Sequence, residues 1–426
     1  MLSFLQEAVP VLYGAGAPLI FLASGVYVSF ATGFVQLRRF FPALRTALFA
    51  KGGRGTLSPR RALLLSLGAV MGPGNLAGVA AAVAFGGPGA VFWVWFSGIA
   101  GMALRYAESA LALFYAAPGE KSEGMADVIR RGLGLPALAL FFSLSGVTVS
   151  LLMADLTSSG ALLYSLNATY GLPTPCGALL LVCLLVPALL GGKSRIASLS
   201  PVLVAAVSLL YLALSLSILF RAPEEAAGAV SRILSSAFER RSLWGILASP
   251  AFREGIRKGI YSNECGLGSE PAFSQGTSLQ DPARQGEVSM LGPFFDTVIF
   301  CGITGILCVM AGESDPAKML PALFGRFFPG FGAPLLTLFL FLLVYTTLIS
   351  WYYAGESFAL SAFGRRAKLP YRAVYLLFPL LVPLFSAGTL YALCDLAVTL
   401  MALPSLFAIL WLSPRVGRLS RQRLRR

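Results

Sequence analysis

Apolar runs of about twenty residues, the length a bilayer core requires, recur along the whole chain between short polar stretches. About eleven can be drawn, near 18–37, 61–84, 89–116, 136–165, 173–190, 196–220, 254–273, 285–311, 332–362, 371–387 and 389–412. The runs are continuous rather than alternating, which is the pattern of helices and not of a barrel. The fifth and tenth are short. The seventh is weakly apolar, and hydropathy alone would pass over it.

Composition agrees with the pattern. The 426 residues are 57% hydrophobic and 12% charged, with a mean hydropathy of +0.77. That is too little charge to clothe a soluble surface. The net charge of +14 would suggest nucleic acid in a soluble chain, but here the basic residues gather in short loops and the tail, so they set topology. One side receives Arg38, Arg39, Arg45, Lys51, Arg54, Arg60 and Arg61. It also receives Lys121, Arg130, Arg131, Lys193, Arg195, Arg365, Arg366, Lys368 and Arg372. The tail adds Arg415, Arg418, Arg421, Arg423, Arg425 and Arg426. This predicts a multi-pass cell-membrane protein with its N-terminus outside, its tail cytoplasmic and an odd number of spans. No basic segment precedes the first run, so no cleavable signal is expected. The long connection at 221–258 reads as a surface amphipathic helix, with Ile233, Leu234 and Phe238 at the interface.

The polar inventory argues against catalysis. There is no histidine, and neither HExxH nor GxSxG occurs. The six cysteines form no CxxC pair and sit mostly in apolar runs, so they read as packing residues. No enzyme activity, no cofactor and no nucleic-acid partner are expected.

Two stretches break the helical pattern. Gly72-Pro73-Gly74-Asn75 interrupts the second span, and RKGIYSNECGLGSEP (257–271) interrupts the seventh. At membrane depth, freed backbone is tolerated only against protein or a water-filled cavity. Such a break exposes N–H groups to anions and carbonyls to cations. Five spans separate the two breaks. Five is odd, so the two helices cross in opposite directions, as in a unit repeated with inverted topology. That arrangement suits alternating access better than a continuous pore.

Three segments carry a resemblance. GPGNLAGVAAAVAFGGPGAVFWVWFSGIAGMALRYAE resembles the signature of the alanine/glycine:cation symporter family, the sodium:alanine symporters. GIYSNECGLGSEP followed by PARQGEVSMLGPFFDT resembles it too, as does YTTLISWYYAGE at 345–356. The resemblance runs from about residue 20 to about residue 410. It implies an all-α integral membrane protein of the APC superfamily, with a leucine-transporter-like 5+5 inverted repeat. One extra N-terminal helix (18–37) would precede repeats at 61–220 and 254–412, with a basic tail at 413–426. It implies sodium-coupled symport of a small neutral amino acid, with sodium as coupling ion.

By the same resemblance, the substrate carboxylate would lie against Gly72, Gly74, Asn75 and Leu76. Asn263, Glu264, Cys265 and Gly266 would close the site, with Ser158 and Trp351 beside it. Carbonyls of Ala69, Val70 and Gly72 and the hydroxyls of Thr346 and Thr347 would serve sodium. Plainer roles stay open: Asn75 as a helix cap, each Thr bonded back to a helix carbonyl, Trp351 as core packing. The chain departs from the family pattern at Pro73 (usually Thr), Ser158 (Gln), Gly160 (Asn), Cys265 (Ala) and Ser350 (Gly). These departures bear on which amino acid is carried, because a hydrogen-bonding site discriminates by what it leaves unpaired.

Arg105, Glu108, Asp155, Glu264, Asp296, Glu356 and Asp395 fall inside predicted spans and should face protein or water. Arg105 and Glu108 share a helix face and are placed to pair. Asp155 offers a titrating group for proton coupling instead. A transporter-derived sensor acting through the basic tail is a more distant reading.

Overall fold

Serine caps and prolines set where helices begin. Ser58, Ser249 and Ser386 each accept a backbone N–H from the following turn, and Pro59 and Pro250 occupy first-turn positions where a missing N–H costs nothing. The computed structural model describes residues 16–50, 57–116, 122–239, 242–274 and 276–424. Lys51, Arg54, Lys121, Arg425 and Arg426 of the basic set lie outside the described residues.

The main helices in chain order are α1 (Gly16–Ala31), α2 (Pro59–Val70), α3 (Ala77–Gly86), α4 (Ala90–Tyr115), α5 (Pro136–Tyr170), α6 (Thr174–Leu190) and α7 (Gly192–Arg221). They continue as α8 (Pro223–Ala237), α9 (Pro250–Asn263), α10 (Pro282–Ala311), α11 (Gly332–Phe363), α12 (Arg365–Leu384), α13 (Ala387–Trp411) and α14 (Ser413–Leu424). Further helices, among them Phe40–Phe49 and Pro316–Phe327, lie between them. Among the described residues there is no strand, only one isolated bridge between Leu57 and Thr277. Among the described residues, seven helices (α4, α5, α7 and α10 to α13) are long and apolar enough to cross a membrane. The protein is therefore a multi-pass, all-helical membrane protein.

The predicted second and seventh spans are the ones that break. α2 ends at Val70. Gly72 is extended, Pro73–Asn75 form a single tight turn, and α3 starts at Ala77. α9 ends at Asn263. Glu264 then takes a left-handed conformation (φ 50°), followed by Gly266 (φ 86°) and Gly268 (φ 77°). A left-handed non-glycine residue carries strain of about 1 kcal/mol or more, so the surrounding contacts must hold Glu264 in place. α5 and α10 each contain a wide π-helical stretch, at Ser150–Thr157 and Phe294–Cys301. Such stretches re-aim side chains and gather at functional sites.

α9 lies against α4 through small residues. A Cβ on Gly255 would come 2.4 Å from the Ala90 carbonyl oxygen, and one on Gly259 would come 1.6 Å from Ser97 Oγ. The two glycines are four residues apart and share one helix face. Gly255→Ala is therefore expected to lower stability by about 1–3 kcal/mol, the usual cost of overpacking, read as a drop in Tm of the purified protein in detergent. An unchanged Tm would mean that α9 and α4 are not so closely held.

α8 is the expected amphipathic helix, but only part of its apolar face reaches the surface. Ala229, Ile233 and Ala237 are buried, whereas Leu234 and Phe238 are about half exposed. Ile233 thus belongs to the core and not to the interface, because the four-residue spacing turns it inward. Phe238 packs edge-on to Phe92, with ring centroids 4.8 Å apart. The tail is also docked. Val416, Gly417 and Ser420 of α14 are buried, and Ser420 Oγ donates to the Thr32 carbonyl (2.8 Å).

Candidate functional site

The break between α2 and α3 opens onto a cavity of about 420 Å³, within the size range of small-molecule sites. Gly72, Gly74 and Asn75 form one wall. Tyr261 and Glu264 of the second broken segment face them, and Met153 and Thr157 of the π-helical part of α5, with Ser158 just after it, close a third side. The two breaks, remote in sequence, meet at one space.

A buried hydrogen-bond network ties them together. Asn75 Nδ2 donates to Asp296 Oδ1 (2.5 Å). Ser262 Oγ lies 2.7 Å from Asp296 Oδ2 and 3.2 Å from Asn75 Oδ1. Thr297 Oγ1 also donates to Asp296 Oδ2 (2.8 Å). Asp296 thus spends both carboxylate oxygens on donors from the first break, from α9 and from its own helix. This charged acceptor ties the side chains of the two broken segments together.

Behind the second break sits a fully buried charge cluster. Arg105 Nη2 donates to the Asn263 carbonyl (2.8 Å), and its other amino group lies 3.8 Å from Glu108 and 3.6 Å from Glu270. Glu108 Oε1 accepts the backbone N–H groups of Gly266 (2.5 Å) and Gly268 (3.2 Å). Glu270 accepts the hydroxyls of Ser66 on α2 and Ser289 on α10. The expected Arg105–Glu108 pair is present, but its chief effect is to satisfy irregular backbone at 263–268. Glu264 is held in turn: Trp351 Nε1 donates to Oε1 (3.1 Å) and Ser269 Oγ to Oε2 (3.2 Å).

The residues anticipated from sequence divide between the cavity and its supports. Gly72, Gly74, Asn75, Ser158 and Glu264 line the cavity, as do Ala69, Val70 and Thr347. Leu76, Asn263, Cys265, Gly266, Trp351 and Thr346 are not among its lining residues. Asn263 and Cys265 instead face a minute separate pocket against α1 and α4. Gly266 offers its N–H to Glu108. Trp351 is buried, its ring edge-on to Phe273 (centroids 5.6 Å apart). Thr346 Oγ1 is bonded back to the Leu343 carbonyl (2.9 Å), the plain role of a helical threonine. Thr347 Oγ1 reaches the Met71 carbonyl (3.4 Å) across the helix gap. That carbonyl and hydroxyl are hard oxygens of the kind an alkali cation takes.

The departures from the family pattern also find places. Ser158 stands on the cavity wall where a longer amide would project. Gly160 does not line the cavity: Leu390 Cδ1 would lie 2.5 Å from a Cβ there. Ser350 Oγ bonds Ser200 Oγ (2.7 Å) on α7. Asp155 is buried, and among the described residues its one hydrogen bond is from Ser159 Oγ, at 3.4 Å from Oδ1. It does not line the cavity.

Two cavity features escaped the sequence reading. Arg257 pairs with Asp395 at 3.1 Å, linking α9 to α13 at the rim. Lys258, beside it, is buried and lines the cavity. A signal existed, since a charged residue inside a span is a functional candidate. It is masked by the polar run 257–271, whose glycines and Asn263 carry the stronger pattern.

Comparison with known proteins identifies relatives along nearly the whole chain. The family model described as "Sodium:alanine symporter family" matches residues 2–423. The chain is 34% identical to an uncharacterized transporter of Haemophilus influenzae, covering 93% of this chain and 91% of that protein. It is 30% identical to the sodium/alanine symporter AgcS of Methanococcus maripaludis, with the same coverage of 93% and 91%. It is 29% identical to the probable sodium/glutamine symporter GlnT of Bacillus subtilis, over 93% of this chain and 85% of the relative. The family match spans nearly the whole chain and both broken segments, and the chain belongs to the sodium:alanine symporter family.

Proposed function

We propose that the protein is a secondary active transporter that carries a small neutral amino acid into the cell with sodium, by alternating access. The observation that carries this reading is the meeting of the two helix breaks at one cavity, next to an oxygen-lined gap at Met71 and Thr347. The substrate's carboxylate would face the start of α3, where the first N–H groups have no helical partner. Sodium would take carbonyls near Ala69, Val70 and Gly72 and the Thr347 hydroxyl. Eleven spans, arranged as one helix followed by two inverted five-helix repeats, account for the odd offset between the breaks. The N-terminus would be outside and the tail cytoplasmic, following the basic residues.

The relatives' names include alanine and glutamine carriers. With Ser158 where the family pattern has glutamine, the cavity has room for a side chain longer than alanine's. Proton coupling through Asp155 is the second reading, and that residue's place off the cavity favours sodium.

Uptake of labelled alanine in proteoliposomes, with unlabelled amino acids as competitors, tests the reading. Uptake should require an inward sodium gradient and fail when choline replaces sodium. Thr347→Ala should raise the sodium concentration for half-maximal uptake at least about tenfold, equivalent to about 1.4 kcal/mol. Uptake driven equally well by a proton gradient without sodium would refute sodium coupling. A competitor panel in which nothing displaces alanine except larger amino acids would move the substrate class.

A further inference from the structure

The charged groups lining the cavity are accounted for, with one exception. Among the described residues, Glu254 pairs with Arg253 at 3.5 Å, and Arg257 pairs with Asp395. Glu264 is bonded by Trp351 and Ser269. Lys258 alone has neither an ion pair nor a hydrogen bond, although only 7% of its surface is exposed. The nearest carboxylate facing it, Asp296, already accepts from Asn75, Ser262 and Thr297. An ammonium group on the wall of a cavity, with no side-chain or backbone acceptor of its own, can take an anion from that cavity.

Its position says where that anion would sit. A Cβ on Gly74 would stand 3.0 Å from Lys258 Nζ, and one on Gly78 would stand 3.2 Å from it. Gly74 lies in the tight turn before α3 and Gly78 in the first turn of α3. The bare backbone at both positions lets the lysine lie flat across the helix start. Helix N–H groups and the ammonium therefore converge on the same cavity wall.

We propose that Lys258 is a substrate-binding residue that takes the carboxylate of the transported solute. The proposal rests on the amino-acid reading above and deepens it: the substrate must present a free carboxylate to Lys258, so amides and esters of the same amino acid are excluded. Gly74 and Gly78 serve by leaving room for the lysine stem.

The test is ligand-induced thermal stabilisation of the purified full-length protein in sodium-containing buffer. The probes are alanine, alaninamide and propionate, with Lys258→Met and Lys258→Arg as variants. The native protein should favour alanine over alaninamide at least about tenfold. Lys258→Met should lose that preference with a matching loss of alanine affinity, and Lys258→Arg should keep most of both. Native protein stabilised equally by alanine and alaninamide would overturn the proposal while leaving an amino-acid carrier intact. So would an unchanged preference in Lys258→Met. Stabilisation by propionate but not alanine, lost in Lys258→Met, would uphold the carboxylate site and refute the amino-acid reading. No response from the native protein to any carboxylate would refute both. Should Lys258→Met fail to fold, Lys258→Gln, which removes the charge and keeps a polar stem, is read in the same way: an unchanged acid-to-amide preference in it overturns the proposal.

Discussion

Arg105→Met is expected to destabilise the protein by about 3–5 kcal/mol, the usual cost of removing one partner from a buried charge network, and to abolish transport. The guanidinium has no solvent exposure and supplies the only cation in contact with Glu108 and Glu270 among the described residues. It also satisfies the Asn263 carbonyl where α9 ends. Without it, two buried carboxylates face each other beside a strained turn at Glu264. The loss should be visible as a fall in Tm and in the monodisperse fraction after extraction. Adding Glu270→Gln should recover part of it, because neutralising one carboxylate removes part of the unbalanced charge. A double-mutant cycle reads that coupling. Strictly additive losses would mean that the arginine and the glutamate act separately.

Asp296→Ala is expected to have the next largest effect. It would strip the acceptor from the Asn75 amide and leave the Ser262 hydroxyl only its longer bond to Asn75 Oδ1, and a stranded buried donor costs about 1–3 kcal/mol. The two donors lie on opposite sides of the join between the broken helices. Their release should loosen the first break and raise the KM for the transported amino acid at least about tenfold, with a smaller change in Tm. Asp296→Asn should fall between, since its carbonyl can still accept while its amide confronts the Asn75 amide. A KM equal to that of the native protein would show that the network is structural only and does not shape the site.

Local features are legible in the residues themselves. Pro73 lacks an N–H and disfavours helical backbone at the residue before it, so the end of α2 can be read from the residues themselves. The glycines at 266 and 268 likewise announce the second break, and the five-span offset follows by counting. Residues whose role depends on packing are less legible. Trp351, Cys265 and Gly266 carry family-like motif positions, yet they brace the site from behind. Motif membership does not distinguish a side chain on the wall from one supporting it. Thr346 and Thr347 are adjacent and chemically identical. Only the helix rotation sends one to its own helix carbonyl and the other across the gap to Met71.

The sequence by itself determined the solvent, the helical class, the places where helices must stop, and the family. Each rests on apolar length or on backbone chemistry that acts within a few residues. The tertiary structure decided which polar groups meet. Asn75 and Asp296 are 221 residues apart, Arg105 and Glu270 sit on separate helices, and Lys258 reaches Gly74 and Gly78 across an interface. A buried charge is defined by its partner, and in this chain the partners are brought within reach only by helices crossing one another.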